Sequence, residues 1–112
     1  MQNTRVAFLG IDIGTTAVKA VLVDIEGKIF AESDVQQTVL RSNIVWVEQD
    51  PVMWWENTLT AISKVVKLAQ NSKDQIEVIG IGLTGQMHSS VFLDEKFEIV
   101  RPAILWSDGR TT

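Results

Sequence analysis

The 112-residue chain has no cysteine, which removes disulfide scaffolds and thiolate zinc sites from consideration. It also lacks an excess of positive charge. Ten lysines and arginines face fourteen aspartates and glutamates, for a net charge of -4. Without a basic patch to neutralise phosphates, no nucleic-acid partner is expected. A ligand that needs only local positive charge stays open. No apolar run approaches the ~20 residues of a membrane span, so no membrane partner is expected either. The opening Met1-Gln2-Asn3-Thr4-Arg5 shows no cleavage-site pattern, and it reads as a cytoplasmic N-terminus rather than a signal peptide. Internal repeats and low-complexity segments are missing as well.

What is present is a globular composition. Hydrophobic residues make up 46% of the chain, enough for the core of one small domain. Val6–Gly14 is an apolar run broken by one carboxylate, a strand ending in a Gly turn. Ala17–Asp24 and Lys28–Gln36 read as two more strands, and their close spacing predicts antiparallel hairpins. Residues 37–49 look irregular. Asp50-Pro51 signals a helix start, and Val52, Trp55, Leu59, Ile62, Val66 and Ala69 predict one apolar stripe on a helix to about Gln70. Asn71-Ser72 closes it. Ile76–Leu83 reads as a strand parallel to the first and buried on both faces. Ser89–Leu93 and Glu98–Val100 flank the turn Asp94-Glu95-Lys96-Phe97 as a further hairpin. The chain stops after a motif-like segment with no closing helix, which suggests a truncated piece of a longer chain.

Chemistry enters at Asp12-Ile13-Gly14-Thr15-Thr16. A tight Gly-Thr turn can aim backbone N–H groups and two hydroxyls at phosphate oxygens, with Lys19 close behind. An acid here would repel phosphate, so its useful role is to hold Mg²⁺ through water. The same residues also suit an ordinary hairpin with a surface Asp. No Walker A pattern is present. Gly80-Ile81-Gly82-Leu83-Thr84-Gly85 matches a dinucleotide fingerprint, but the polar Gln86–Ser90 stretch follows where a helix should open. Gly80 and Gly82 are better read as points in a crowded strand. Gln86 and His88 then lie on a loop at a strand end, where they can exchange hydrogen bonds with hydroxyls, and Met87 can lie against a carbon face. Trp106 can stack on sugar C–H surface, and Asp108 can accept from two hydroxyls. A lone His is often structural, Trp106 could be core, and Asp108 could be a turn former before Gly109.

Four ordered motifs carry a resemblance over nearly the whole chain. They are Gly10–Thr16, Trp46–Pro51 with Trp54-Trp55, Gly82–His88 and Arg101–Thr111. In that order they resemble the FGGY family of carbohydrate kinases, nearest in pattern to its xylulokinase branch. The resemblance implies an α/β, ribonuclease-H-like fold of the actin/hexokinase superfamily, with a mixed sheet, antiparallel hairpins and a flanking helix. It implies that residues 1–112 are the N-terminal part of the first actin-like ATPase domain, with the second domain absent and the isolated piece inactive. ATP and Mg²⁺ are the implied cofactors, a sugar is the implied substrate, and a homodimer is possible for the full-length enzyme. The implied reaction turns D-xylulose into D-xylulose 5-phosphate. Asp12 would be the essential acid near Mg²⁺. Gly14, Thr15, Thr16 and Lys19 would bind the nucleotide phosphates. Gln86, Met87, His88, Trp106 and Asp108 would form the sugar side. Glycerol kinases carry Arg-Glu where this chain has Met87-His88, which disfavours glycerol. Gluconokinases can share the Met87-His88-Ser89 pattern and are the nearest rivals. Ser107 departs from the Asn common in xylulokinases. A non-catalytic sugar-sensing domain and a cytoskeletal or chaperone-type actin-like ATPase are the alternatives of another class.

Overall fold

Alternation of side chains along the first three apolar runs builds the sheet. The computed structural model describes residues 4–70 and 75–110. In order these form β1 (Thr4–Ile13), β2 (Ala17–Val23), β3 (Ile29–Gln36), β4 (Leu40–Asn43), β5 (Trp46–Gln49), α1 (Pro51–Gln70), β6 (Gln75–Gly85) and β7 (Ala103–Ile104). The main sheet has the order β3-β2-β1-β6. β1, β2 and β3 run antiparallel in succession, as their short connections require. β6 returns parallel to β1 through the helical crossover, with a bulge between Ala7 and Phe8. Residues 40–49, expected to be irregular, instead join β7 in a second sheet of order β4-β5-β7. Two four-residue strands are too short for period-2 alternation to stand out.

One face of the main sheet carries Ala7, Leu9 and Ile11 from β1 with Val18, Ala20 and Leu22 from β2, all buried. α1 covers this face. Its start follows the sequence expectation: Asp50 Oδ1 accepts from the Val52 N–H at 3.0 Å, and Pro51 opens the helix. The buried row on α1 overlaps the expected stripe at Ala69 and is otherwise shifted around the helix. Thr58, Ala61, Val65 and Ala69 face the sheet, Ile62 and Val66 flank them, and Val52, Trp55 and Leu59 are exposed. Small residues let the helix backbone approach β3, where Ser33 Oγ donates to the Ala61 carbonyl at 2.6 Å. Thr58 is buried without penalty because its hydroxyl donates to the Trp54 carbonyl at 2.6 Å. The expected close at Asn71-Ser72 lies outside the described residues.

β6 is parallel to β1, as expected, but it is not buried on both faces. Ile81 and Leu83 share the helix side of the sheet with Leu9 and Ile11, yet both are exposed. α1 lies over β2 and β3 and barely reaches β6. Gly80 is crowded as expected, since a Cβ there would meet the Phe8 ring at 3.1 Å. Gly82 is not crowded, with nothing within 4 Å of such a Cβ. The segment 89–100 turns at Asp94, which accepts from Lys96 and Glu98 N–H groups at 2.8 and 3.0 Å. Its arms pair as a short hairpin, through the antiparallel Leu93–Ile99 bridge and hydrogen bonds from the Asp94 N–H to the Glu98 carbonyl at 2.8 Å and from the Val100 N–H to the Phe92 carbonyl at 3.1 Å.

Candidate functional site

The connection from β1 to β2 is a bend closed by a hydrogen bond from the Gly14 N–H to the Ala17 carbonyl at 2.9 Å. A Cβ on Gly14 would stand 2.9 Å from that same oxygen, so a larger residue would push the bend open. Side-chain amides hold the bend from behind. Gln37 Nε2 and Gln86 Nε2 both donate to the Gly14 carbonyl, the latter at 3.0 Å. Gln49 Nε2 donates to the Thr15 carbonyl at 2.7 Å. The Gln37 N–H donates to the Thr16 carbonyl at 2.8 Å.

β6 brings the second loop beside this bend. Asp12 stands opposite Thr84, and Ile13 opposite Gly85. Gly85 has φ +146°, and a Cβ there would collide with the Ile13 carbonyl, so the two strand ends can meet this closely only with glycine. No helix opens after Gly85, which disposes of the dinucleotide fingerprint. Gln86 and His88 instead adopt left-handed backbones, with φ 49° and 62°. Each costs on the order of 1 kcal/mol in a non-glycine residue. Such costs are tolerated where a loop must hold one shape, and this one turns Met87 and His88 outward. Trp106 arrives from the far segment. Its backbone N–H donates to Ser89 Oγ at 3.1 Å, and its ring Nε1 approaches Thr15 Oγ1 at 3.4 Å.

The result is an open hollow of about 400 Å³ lined by Asp12, Gly14 and Thr15 together with Met87, His88 and Trp106. Thr84 and Gln86 line it as well. A neighbouring hollow of about 440 Å³ on the glycine face of the sheet shares Asp12 and Thr84 and adds Gly10, Lys19 and Gly82. Lys19 pairs with Asp12 in the β1–β2 register. Thus Asp12, Gly14, Thr15, Gln86, Met87, His88 and Trp106 converge on one hollow. Lys19 sits next door, and Thr16 is exposed at the outer side of the bend.

Asp108 does not join them. Its side chain is 2% exposed and faces a buried charge cluster behind β5. Asp108 Oδ2 accepts from the Val47 N–H at 2.6 Å and from Arg110 Nη2 at 2.7 Å. Arg110 reaches Glu48 at 3.0 Å, and Arg101 also pairs with Glu48. The Arg110 guanidinium holds the Asp108 carboxyl well below the usual carboxylate range, helped by the Arg110 and Val47 N–H groups against the cost of burial. With its oxygens so occupied, Asp108 ties the 103–110 segment to β5 and is no sugar ligand in this arrangement. Gln86 also departs from expectation in part, because its amide N–H₂ is turned inward to Gly14 and Gln49 rather than outward.

Sequence reasoning missed the residues that hold the site. Gln49 lies inside the Trp46–Pro51 motif and Gln37 outside the four motifs, and neither reads as buried, since a polar residue at a strand end reads as surface. Among the described residues, no group of three or more His, Asp or Glu could hold a metal by itself. The lone Asp12 carboxylate fits Mg²⁺ bound mainly by water and phosphate oxygens, which is the usual habit of that ion.

The profile of the FGGY family of carbohydrate kinases, N-terminal domain, matches residues 7–112. A xylulose kinase of Klebsiella pneumoniae is 42% identical over 104 residues, covering 92% of this chain and 20% of that protein. The crystal structure of xylulose kinase from Rhodospirillum rubrum superposes with TM-score 0.86 at 33% identity, over 93% of this chain and 21% of that one. Gluconate kinase from Lactobacillus acidophilus follows at TM-score 0.77 and 30% identity, over 93% and 20%. The chain therefore spans about a fifth of the length of these relatives. Its sheet and crossover helix are those of the actin/hexokinase-like fold that these kinases share. With the profile matched over almost its whole length, the chain belongs to the FGGY family of carbohydrate kinases.

Proposed function

We propose that the whole protein transfers the γ-phosphoryl group of ATP to the 5-hydroxyl of D-xylulose, giving D-xylulose 5-phosphate and ADP. The observation that carries this reading is the hollow that gathers Asp12, Gly14 and Thr15 of the first bend with Met87, His88 and Trp106. Backbone N–H groups and hydroxyls of the Gly14–Thr16 bend bind the nucleotide phosphates. Trp106 and Met87 offer apolar area to sugar carbons, and His88 exchanges hydrogen bonds with hydroxyls. The new bond joins the sugar oxygen to the γ-phosphorus as the bridging β,γ bond breaks. The hydroxyl proton passes to a base on the other wall of the cleft, in sequence beyond these 112 residues. Asp12 would hold Mg²⁺ through water, and the ion would supply neutralisation of phosphate charge. On this reading residues 1–112 are part of the first of two actin-like domains, and the reaction, which draws on ATP, belongs in the cytoplasm.

The test uses the whole enzyme in a coupled assay for ADP release with D-xylulose, gluconate and glycerol. Wild type should favour D-xylulose. Asp12→Asn should lower turnover by about 10²–10³-fold with an unchanged circular dichroism spectrum. Near-normal turnover of that variant would remove Asp12 from the chemistry. A preference for gluconate, whose kinases share the fold and the Met87-His88-Ser89 pattern, would move the substrate assignment within the family.

A further inference from the structure

Gln49 is among the most deeply buried side chains of the molecule, at 1% exposure, although it is polar. Every hydrogen-bonding position on its amide is used. Nε2 donates to the Thr15 carbonyl at 2.7 Å and reaches the Thr38 carbonyl at 3.5 Å. Oε1 accepts from Trp54 Nε1 at 2.9 Å and from Gln86 Nε2 at 3.1 Å. A buried amide with both ends satisfied is a rigid joint, because any rotation leaves polar atoms unpaired. This one joins four pieces of chain: the bend after β1, the segment after β3, the first turn of α1 and the loop after β6.

We infer that Gln49 is a positioning residue that sets the peptide orientation of the Gly14–Thr16 bend and couples it to the Gln86–His88 loop. The inference rests on the proposed phosphoryl transfer for its meaning and on the amide network for its geometry. The bend contains no cis peptide. In a trans peptide the C=O of one residue and the N–H of the next point in opposite directions. Gln37 and Gln86 hold the Gly14 carbonyl inward, and Gln49 holds the Thr15 carbonyl inward. The N–H groups of Thr15 and Thr16 are thereby turned to the opposite side, where they meet phosphate oxygens. Gln37 is in turn fixed from outside, its Oε1 accepting from Asn57 Nδ2 at 3.1 Å. Through Gln86 the same joint steadies the loop that presents Met87 and His88. Nucleotide binding and sugar binding thus share one buried support that touches neither ligand.

The variants that test this are Gln49→Leu, Gln49→His and Gln37→Leu in the whole enzyme, each with its melting temperature. Gln37→Leu, at a residue that bonds to Gly14 without lining the hollow, should raise KM for MgATP several-fold and leave KM for the sugar within about twofold. Gln49→Leu should raise both KM values by about tenfold and lower kcat by about as much, since a displacement of ~1 Å far from the chemistry is enough for such losses. Gln49→His keeps one donor and one acceptor and should recover part of the loss. Folded variants with both KM values near wild type overturn the inference. Should Gln49→Leu not fold, an unchanged MgATP KM in Gln37→Leu and Gln49→His overturns it equally. Absence of sugar phosphorylation by wild type would instead refute the proposed reaction. In that event MgADP binding by calorimetry decides the positioning: weaker binding by Gln37→Leu and Gln49→His supports it, and equal or absent binding in wild type and variants overturns it.

Discussion

Asp108 and Arg110 stand two residues apart and form a closed pair, because the Arg110 side chain folds back so that Nε and Nη2 meet both carboxylate oxygens at 2.8 and 2.7 Å. The ring of Trp46 covers the guanidinium at 4.4 Å. Glu48, buried in the same cluster, needs Arg101 and Arg110 as counter-charges. Removing one partner from such a cluster leaves the others buried and uncompensated. The Asp108 carboxyl lies below its ordinary value of 3.8 in the folded chain. A depressed carboxyl stabilises the fold fully above the unfolded value and loses that effect as pH falls toward the folded one. Asp108→Asn should therefore lower the melting temperature at neutral pH, and the gap from wild type should narrow below about pH 4. Thermal melts at several pH values check this. A gap that is constant across the range would show that the charge of Asp108 is not its source.

The helix and the last long strand show how far periodicity reaches at the level of elements. Val52, Trp55, Leu59, Ile62, Val66 and Ala69 make a plausible stripe, and so do Thr58, Ala61 and Val65, which run one step around the helix and share Ala69 with it. Spacing identifies both rows but does not rank them. Size ranks them: the row of smaller residues lets α1 settle close enough for the Ser33–Ala61 bond. β6 is placed by its end rather than its middle. Gly85, pressed against Ile13, allows the β6 loop to reach the phosphate-type bend. Gly85→Ala should destabilise the chain by roughly 2 kcal/mol or more, from steric overlap and an unfavourable φ together. Urea unfolding would measure it, and a loss under about 0.5 kcal/mol, the range of ordinary surface changes, would show that the strand ends are not so tightly apposed.

Taken as a whole molecule, the chain leaves much apolar surface open. Ile79, Ile81 and Leu83 on β6, with Val52, Trp55 and Leu59 on α1, are all exposed. β6 is also an edge strand of the main sheet as described. Exposed apolar area beside an open edge favours association between copies. The purified 112-residue chain should therefore self-associate with rising concentration. A double variant, Ile81→Lys with Leu83→Lys, should shift it toward monomer in sedimentation velocity, since charge on an edge strand opposes pairing. A chain that stays monomeric at all concentrations would count against this surface as the cause.

The strand–bend–strand opening, the Asp50-Pro51 helix start, the β6 strand and the family itself were legible in the order of residues. Each rests on local chemistry: alternation, a cap, a glycine turn, or a motif whose spacing does not depend on distant contacts. Met87, His88 and Trp106 were singled out by residue type, and the fold brings all three to the hollow that Asp12, Gly14 and Thr15 also line. The direction taken by Asp108, the inward amide of Gln86 and the burial of Gln49 emerged only in three dimensions. Gln49 and Thr15 are 34 positions apart, and Gln86 and Gly14 are 72 apart. Which polar group is satisfied by another protein group, and which is left for a ligand, depends on segments that meet only after the sheet, the helix and the crossover have packed.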